Sequence, residues 1–357
     1  MTMTPQELRA LHARAQALRA ELARRDADSF MSYVLRDEET GDRVEQAPYH
    51  SAWQKLMTDH KRLVLWSHVE SGKTQQLSIG RVLWEVGRNP ALRVVIVSNT
   101  GLQSRKLVRS IGQYITESEE CKSVFPDLKP GGNWTSDTLV VKRPQVAKDP
   151  TVQATGMHGN ILGARIDLLI MDDVIDYENS RTEYQRQEAL NWIESTLFGR
   201  LTKNARVVII GNAWHRDDLM HVLAKRPLWQ ARKFPAMSLE GTPQWTERWD
   251  LERLEEKRLE LGPLEFARQM QCEARADGAS RFKLAEIEEC ITRGAGRSFI
   301  SKVSPGYFPQ GTVLFTGVDL GISRKKTADK TVFFTIALHT DGSREVLCIE
   351  AGRWTAQ

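Results

Sequence analysis

The sequence predicts an α/β fold: a doubly wound parallel sheet, followed by the start of a smaller, mixed sheet. Three observations carry this. Strand-like and helix-like segments alternate between residues 62 and 211. The runs Leu63-Val64-Leu65-Trp66, Val94-Val95-Ile96-Val97, Leu168-Leu169-Ile170-Met171 and Val207-Val208-Ile209-Ile210 are apolar on both faces, as strands covered by helices on each side must be. Polar groups gather at their carboxyl ends, where such sheets place ligands.

The elements follow in order. Thr4-Pro5-Gln6-Glu7 is a capping box with proline at the first helical position, opening a helix over residues 4–25. Its narrow stripe of Leu8, Leu11, Ala15 and Leu18 suits packing or contact with a neighbouring subunit. Asp37 to Val44 reads as polar turns. Gln46-Ala47-Pro48-Tyr49-His50-Ser51-Ala52-Trp53 opens a helix whose aromatic and amide groups suit either packing or the cradling of a base. After the first strand, Leu77, Gly80, Val82 and Leu83 recur at helical spacing, with Asn89-Pro90 as the stop. A second strand leads into a helix from Leu102 to Ile115 that carries Arg105, Lys106 and Arg109. Gly131 to Pro150 reads as a meander or hairpin, and Ala154 to Ala164 as a glycine-rich loop. Ser180 to Arg200 is an amphipathic helix with Ala189, Leu190, Ile193 and Leu197 on its apolar face. Leu251 to Ala276 is a charged helix pair broken at Gly262-Pro263.

Two segments carry chemistry. The first strand runs into Ser67-His68-Val69-Glu70-Ser71-Gly72-Lys73-Thr74. Set against the phosphate-loop pattern G-x-x-x-x-G-K-[ST], it keeps Gly72, Lys73 and Thr74 and has Ser67 in place of the first glycine. Gly72 supplies the tight turn at a helix start, Lys73 reaches the β- and γ-phosphates, and the Thr74 hydroxyl sits on Mg²⁺. The second segment is the strand ending in Asp172-Asp173. Adjacent acids often only cap a turn, but here they fall at the carboxyl end of a buried strand. Asp172 is then the Mg²⁺ ligand, and Asp173 orients the attacking water. Together the two segments predict a P-loop nucleoside triphosphatase of the ASCE type, using Mg²⁺, with Ser71 to Thr74 plus Asp172 as the binding set.

Composition sets bounds on this reading. A length of 357 residues suggests two domains, and 41% hydrophobic residues supply a sizeable core. A net charge of only +4 leaves any nucleic-acid binding to local patches. Cys121, Cys272, Cys290 and Cys348 have no C-x-x-C spacing, so neither zinc nor a disulfide scaffold is indicated. No apolar run approaches the ~18 residues of a membrane span, and the N-terminus lacks a signal-peptide core, so the expectation is a soluble protein with no membrane partner.

In the order and content of its motifs the sequence resembles the large subunit of tailed-phage terminases. The resemblance rests on Gly156 to Arg165 running into Leu169-Ile170-Met171-Asp172-Asp173, on Asn191-Trp192-Ile193-Glu194-Ser195-Thr196-Leu197, and on Ile209-Ile210-Gly211-Asn212-Ala213-Trp214-His215. It implies that Lys73 and Thr74 bind ATP phosphates and Mg²⁺, with Asp172 as metal ligand and Asp173 as water-positioning acid. Gly211-Asn212-Ala213 would sense the γ-phosphate and couple hydrolysis to DNA movement. His215 would belong to that sensor or simply pack. The implied setting is the host cytoplasm, as a homo-oligomeric ring on a portal protein, with double-stranded DNA and a small terminase subunit as partners. Two departures stand out: the loop lacks the family's arginine before Gly-Lys-Thr, and the coupling segment reads Asn-Ala-Trp-His. The arginine that stabilises the transition state must come from elsewhere, with Arg165, Arg181 and Arg200 as candidates, or from a neighbouring subunit.

The C-terminal part adds a strand, Thr312 to Asp319, ending in a carboxylate, and two more from Thr331 to Leu338 and Arg344 to Glu350. These are similar to the start of the terminase nuclease domain, which is RNase H-like. Two-metal cleavage by Mg²⁺ or Mn²⁺ needs several carboxylates. Asp319 is one, Asp329 a second candidate, and Glu350 more suited to a solvent edge. The family's remaining acids come from later strands, so the endonuclease is expected to be incomplete. Arg324, Lys325, Lys326 and Lys330 form a basic cluster suited to a solvated loop or to phosphate contact. The expected organisation is a helical segment over 1–45, an ATPase domain over 46–275, a linker over 276–311 and the nuclease start over 312–357. The competing functions are a helicase-like remodelling ATPase and a non-catalytic DNA-binding or assembly subunit.

Overall fold

The strand order of the main sheet brings the polar strand ends together. In the computed structural model, which describes residues 4–161, 164–275, 284–294, 308–321 and 330–352, the chain divides into two units, Met1–Ser280 and Arg281–Gln357. The first unit holds strands β1 (Arg62–Ser67), β2 (Val94–Ser98), β3 (Pro130–Trp134), β4 (Thr138–Val141), β5 (Val152–Gly156), β6 (Ile166–Asp172), β7 (Leu201–Gly211) and β8 (Gln230–Phe234). They lie in the order β3-β4-β5-β2-β6-β7-β1-β8. From β5 to β8 all neighbours are parallel, and β3 and β4 add an antiparallel hairpin at one edge. The strand carrying the phosphate loop and the strand carrying the acids are therefore separated by β7. Trp66 pairs with Gly211 and Asp172 with Ile210, so all three strands end at one level.

Strand alternation sorts the core into two layers. Leu63, Leu65, Val94, Ile96, Leu168, Ile170, Val208 and Ile210 face one layer. Val64, Trp66, Val95, Val97, Leu169, Met171, Val207 and Ile209 face the other. The first is covered by helices Ala27–Val34, His50–Asp59, Arg81–Arg88 and Gly101–Glu117, the second by Glu183–Trp192 and Leu219–Ala224. Asp167, the one polar residue of β6 before its closing acid, is explained at the sheet's opposite edge: the Arg93 guanidinium holds it in a fork at 2.7 and 2.9 Å, and the Thr202 hydroxyl donates at 2.8 Å.

Several readings change. The helix Pro5–Arg25 has the expected Thr4 capping box, but its leucine stripe does not pack on the unit. Leu8, Leu11 and Leu18 are more than half exposed, and the helix docks through Ala20 and Ala23. The expected helix over 180–200 is shorter: Glu183–Trp192 gives way to a π-helical turn at Ile193–Leu197 and a tight turn at Phe198–Arg200. Strand β5 occupies the start of what reads as a glycine-rich loop. Its Gly156 abuts the helix Gly101–Glu117 so closely that a Cβ there would lie 2.4 Å from the Gly101 nitrogen.

In the second unit, β9 (Val313–Asp319), β10 (Thr331–Leu338) and β11 (Arg344–Gly352) form an antiparallel sheet in the order β11-β10-β9, with a helix at Leu284–Gly294. Asp319 pairs with Val332 and Glu350 with Phe333. Adjacent register positions project from opposite faces, so Glu350 cannot join Asp319 as a ligand. Asp329, Arg324, Lys325 and Lys326 lie outside the described residues; Lys330 is exposed.

The close approach at Gly156 generates a prediction. Gly156→Ala forces a methyl group against backbone atoms that cannot rotate away, costing about 1–3 kcal/mol. A urea titration followed by tryptophan fluorescence should show a lowered midpoint; an unchanged midpoint would mean that the helix can retreat from β5.

Candidate active site

The phosphate loop leaves β1 at Ser67 and turns through two left-handed residues, Glu70 (φ 56°) and Gly72 (φ 81°), before the helix that carries Thr74. Only glycine adopts the second conformation without steric cost. The opening helix is wound as a π-helix over Thr74–Gly80.

The loop is held from beneath by the segment that reads as base cradle or packing. Tyr49, His50 and Trp53 are buried, so packing is what they do. His50 Nδ1 accepts the Ala47 amide at 3.1 Å, which leaves Nε2 as the donor to the Ser71 carbonyl at 2.8 Å. His68 is arranged oppositely: Nδ1 donates to the Val69 carbonyl and Nε2 accepts from the Tyr49 hydroxyl, both at 2.8 Å. Burial pushes both imidazoles down to about 4, so both stay neutral beneath the loop at pH 7. The Gln76 amide donates to Gln46 at 3.0 Å and ties the same segment to the first turn of the helix.

Lys73 is buried, and its ammonium donates to Asn212 Oδ1 at 3.2 Å and lies 3.7 Å from Asp173 Oδ2. Asn212, just past the end of β7, donates to the carbonyls of Ser67 and Gln269 at 3.1 and 3.2 Å. Its side chain joins β7 to the loop start and to the end of Leu251–Gln269, the expected helix pair, broken at Gly262 (φ 72°) just before Pro263. Thr74 donates to Asp172 Oδ1 at 3.3 Å. Asp173 is left-handed (φ 45°), pinned between the Ile210 carbonyl and the Asn99 amide. A non-glycine residue in that conformation costs free energy that the surrounding bonds must offset.

These positions bring together Ser71, Gly72, Lys73, Thr74, Asp172, Asp173 and Asn212. The hydrogen bonds of His215 are local: its amide bonds Asp218 and its Nδ1 accepts the Asp217 amide at 3.0 Å. Arg165 precedes β6 and Arg200 precedes β7, at the edge of the sheet opposite to Lys73, and Arg181 is an exposed turn residue. Sequence reasoning missed the Gln269 carbonyl, which no spacing signals, and the pairing of Tyr49 and His50 with the loop.

The residues present fit a hard divalent cation and a polyphosphate. Burial first, and the Asp173 charge second, push the Asp172 carboxyl up to about 7, as for an oxygen ligand set awaiting a cation. The Ser71 hydroxyl is buried without a partner. In linkage terms, Asp172 holds its proton more tightly folded than unfolded, so its contribution to stability falls as pH rises from about 4 to about 7. Asp172→Asn, without nucleotide, should therefore raise the calorimetric melting temperature more at pH 8 than at pH 4, by a few degrees or about 1–2 kcal/mol. An equal shift at both values would contradict the assignment.

No family model matches the chain. The terminase large subunit of Enterobacteria phage T3 is 24% identical over 269 residues, covering 66% of this chain and 44% of that protein. The large terminase of bacteriophage HK97 superposes with a TM-score of 0.52 at 13% identity, covering 90% of this chain and 66% of that one. A large terminase from a thermophilic bacteriophage, solved with ADP, is 12% identical with a TM-score of 0.44, covering 87% of this chain and 69% of that one. The chain thus spans less than half the length of the curated relative. In sequence it resembles a phage terminase large subunit, and it shares its fold with a solved one.

Proposed function

We propose that the first unit hydrolyses ATP and that the chain acts as a DNA-packaging motor of the terminase large-subunit type. The observation that carries this is the convergence of Lys73, Thr74, Asp172, Asp173 and Asn212 at the ends of three adjacent parallel strands. The loop amides and Lys73 receive the phosphates. Thr74 and Asp172 would hold Mg²⁺, which when bound would offset negative charge on the phosphates. Asp173 orients a water whose oxygen attacks the γ-phosphorus. The bond to the bridging oxygen breaks, ADP and phosphate leave, and the water's proton passes to Asp173 or solvent.

Asn212 links this chemistry to movement. One amide side chain contacts Lys73, the loop and the helix Leu251–Gln269, so a change in the position of Lys73 is transmitted to that helix. The substrate moved would be double-stranded DNA entering a procapsid, with portal and small subunit as partners and a ring of copies acting in turn. The reading of the second unit as the start of an RNase H-like nuclease is supported by its antiparallel sheet with Asp319 closing β9. Among the described residues no group of three or more His, Cys, Asp or Glu side chains gathers to hold a metal.

The test is ATP hydrolysis with and without linear duplex DNA. Turnover should rise with DNA, and Lys73→Ala should lower it by about 10²-fold or more. DNA binding with no turnover in either protein, portal included, would favour a non-catalytic assembly subunit. Strand separation in place of duplex translocation would favour a helicase-like enzyme.

A further inference from the structure

The phosphate loop carries an acid where a polyphosphate is to bind, and two arginines converge on it. Glu70 stands two residues before Gly72 in the left-handed conformation. Its Oε2 lies 3.6 Å from Arg248 Nη2 and 3.7 Å from Arg253 Nη2, distances of ionic contact and not of hydrogen bonding. Both arginines come from the start of the helix Leu251–Gln269 and the turn before it, far from the loop in sequence.

Both arginines are seated on buried tryptophans. Trp245 and Trp249 are buried against the histidines that support the loop, with ring centroids 5.4 Å from His50 and 6.5 Å from His68. Arg248 lies over Trp245 and Arg253 over Trp249, at 5.6 and 4.5 Å from the ring centroids. Asp250 caps the helix through the Arg253 amide, and Arg253 Nη1 donates to the Arg248 carbonyl at 2.9 Å. Beyond the break at Gly262 (φ 72°), the second helical half ends at Gln269, whose carbonyl accepts the Val69 amide at 3.0 Å. Arg248 Nε is buried without a hydrogen-bond partner, a cationic donor with capacity to spare.

A triphosphate on the loop amides would meet the Glu70 charge unless that charge were balanced, and it would offer the two guanidiniums a stronger anion than one carboxylate. We propose that Arg248 and Arg253 form a cationic clamp over the phosphate loop, held by Glu70 in this structure and taken up by the terminal phosphate of ATP. The clamp adds positive charge to that of Lys73 from the same chain, a role that Arg165 and Arg200 cannot serve from the opposite sheet edge. The proposal rests on the ATP-site reading above.

Titration calorimetry on the full chain tests it, with ATPγS and ADP as probes. Arg248→Ala should weaken ATPγS binding by about tenfold or more and ADP binding by less than about threefold. Arg248→Lys should recover part of the loss, and Glu70→Gln should tighten ATPγS binding by several-fold because the competing anion is gone. Glu70→Gln keeps the test alive if Arg248→Ala fails to fold. If Arg248→Ala weakens both nucleotides equally, or Glu70→Gln binds ATPγS no better than the parent, the clamp is wrong. Lys73→Ala separates the two readings. If the parent binds ATPγS and Lys73→Ala does not, failure of the arginine and Glu70 variants to discriminate refutes the clamp alone. If the parent binds no nucleotide, both readings fall.

Discussion

A buried ammonium organises the first unit. Lys73 is almost entirely removed from water, and a cation so placed needs oxygen partners. It finds Asn212 Oδ1 and the Asp173 carboxylate, and each of those imposes a further constraint. For Asn212 to present its oxygen, its amide must be turned toward the Ser67 and Gln269 carbonyls, which sets the distances between β7, the loop and the long helix. For Asp173 to be present at all, its backbone must turn left-handed directly after β6. The strand order, with β7 between β1 and β6, is the arrangement that permits all three.

Asp172 is buried beside a second carboxylate, and its raised proton affinity reflects the burial first and that neighbouring charge second, against the opposing pull of Lys73 and of the Thr74 and Ser78 hydroxyls. Beneath the loop, Tyr49, His50 and His68 hold the backbone with neutral groups and leave Lys73 as the buried cation there. Ser67 in place of the first loop glycine is accommodated because β1 continues through it: Ser67 pairs with Phe234 of β8 as a buried strand residue, and the turn is made later, at Glu70 and Gly72.

Much of this was legible in the sequence. Four strands apolar on both faces announced a covered parallel sheet, and the loop and the acids announced what its carboxyl edge holds. Short strands with half-polar faces were not legible. Gln230-Ala-Arg-Lys-Phe exposes Arg232 and Lys233 at a sheet edge, and Val152-Gln-Ala-Thr-Gly looks like the loop it adjoins. The leucine stripe of the first helix misled because periodicity reports an apolar face and not what covers it; alanines on another face make the contact. The support of the loop by Gln269, Arg248 and Arg253 was invisible for a simpler reason. A backbone carbonyl and charges on a solvated helix leave no local pattern, and only the fold brings them to the loop.

The central claim is that Lys73 and Asn212 act as one unit in nucleotide binding. A double-mutant cycle on ATPγS affinity tests this most directly, using Lys73→Ala, Asn212→Ala and the pair. If the two form one unit, each single change removes most of the binding and the double variant is little worse than either, a coupling of about 1–3 kcal/mol. Additive losses would show that Asn212 merely shapes the fold nearby, and would contradict the account.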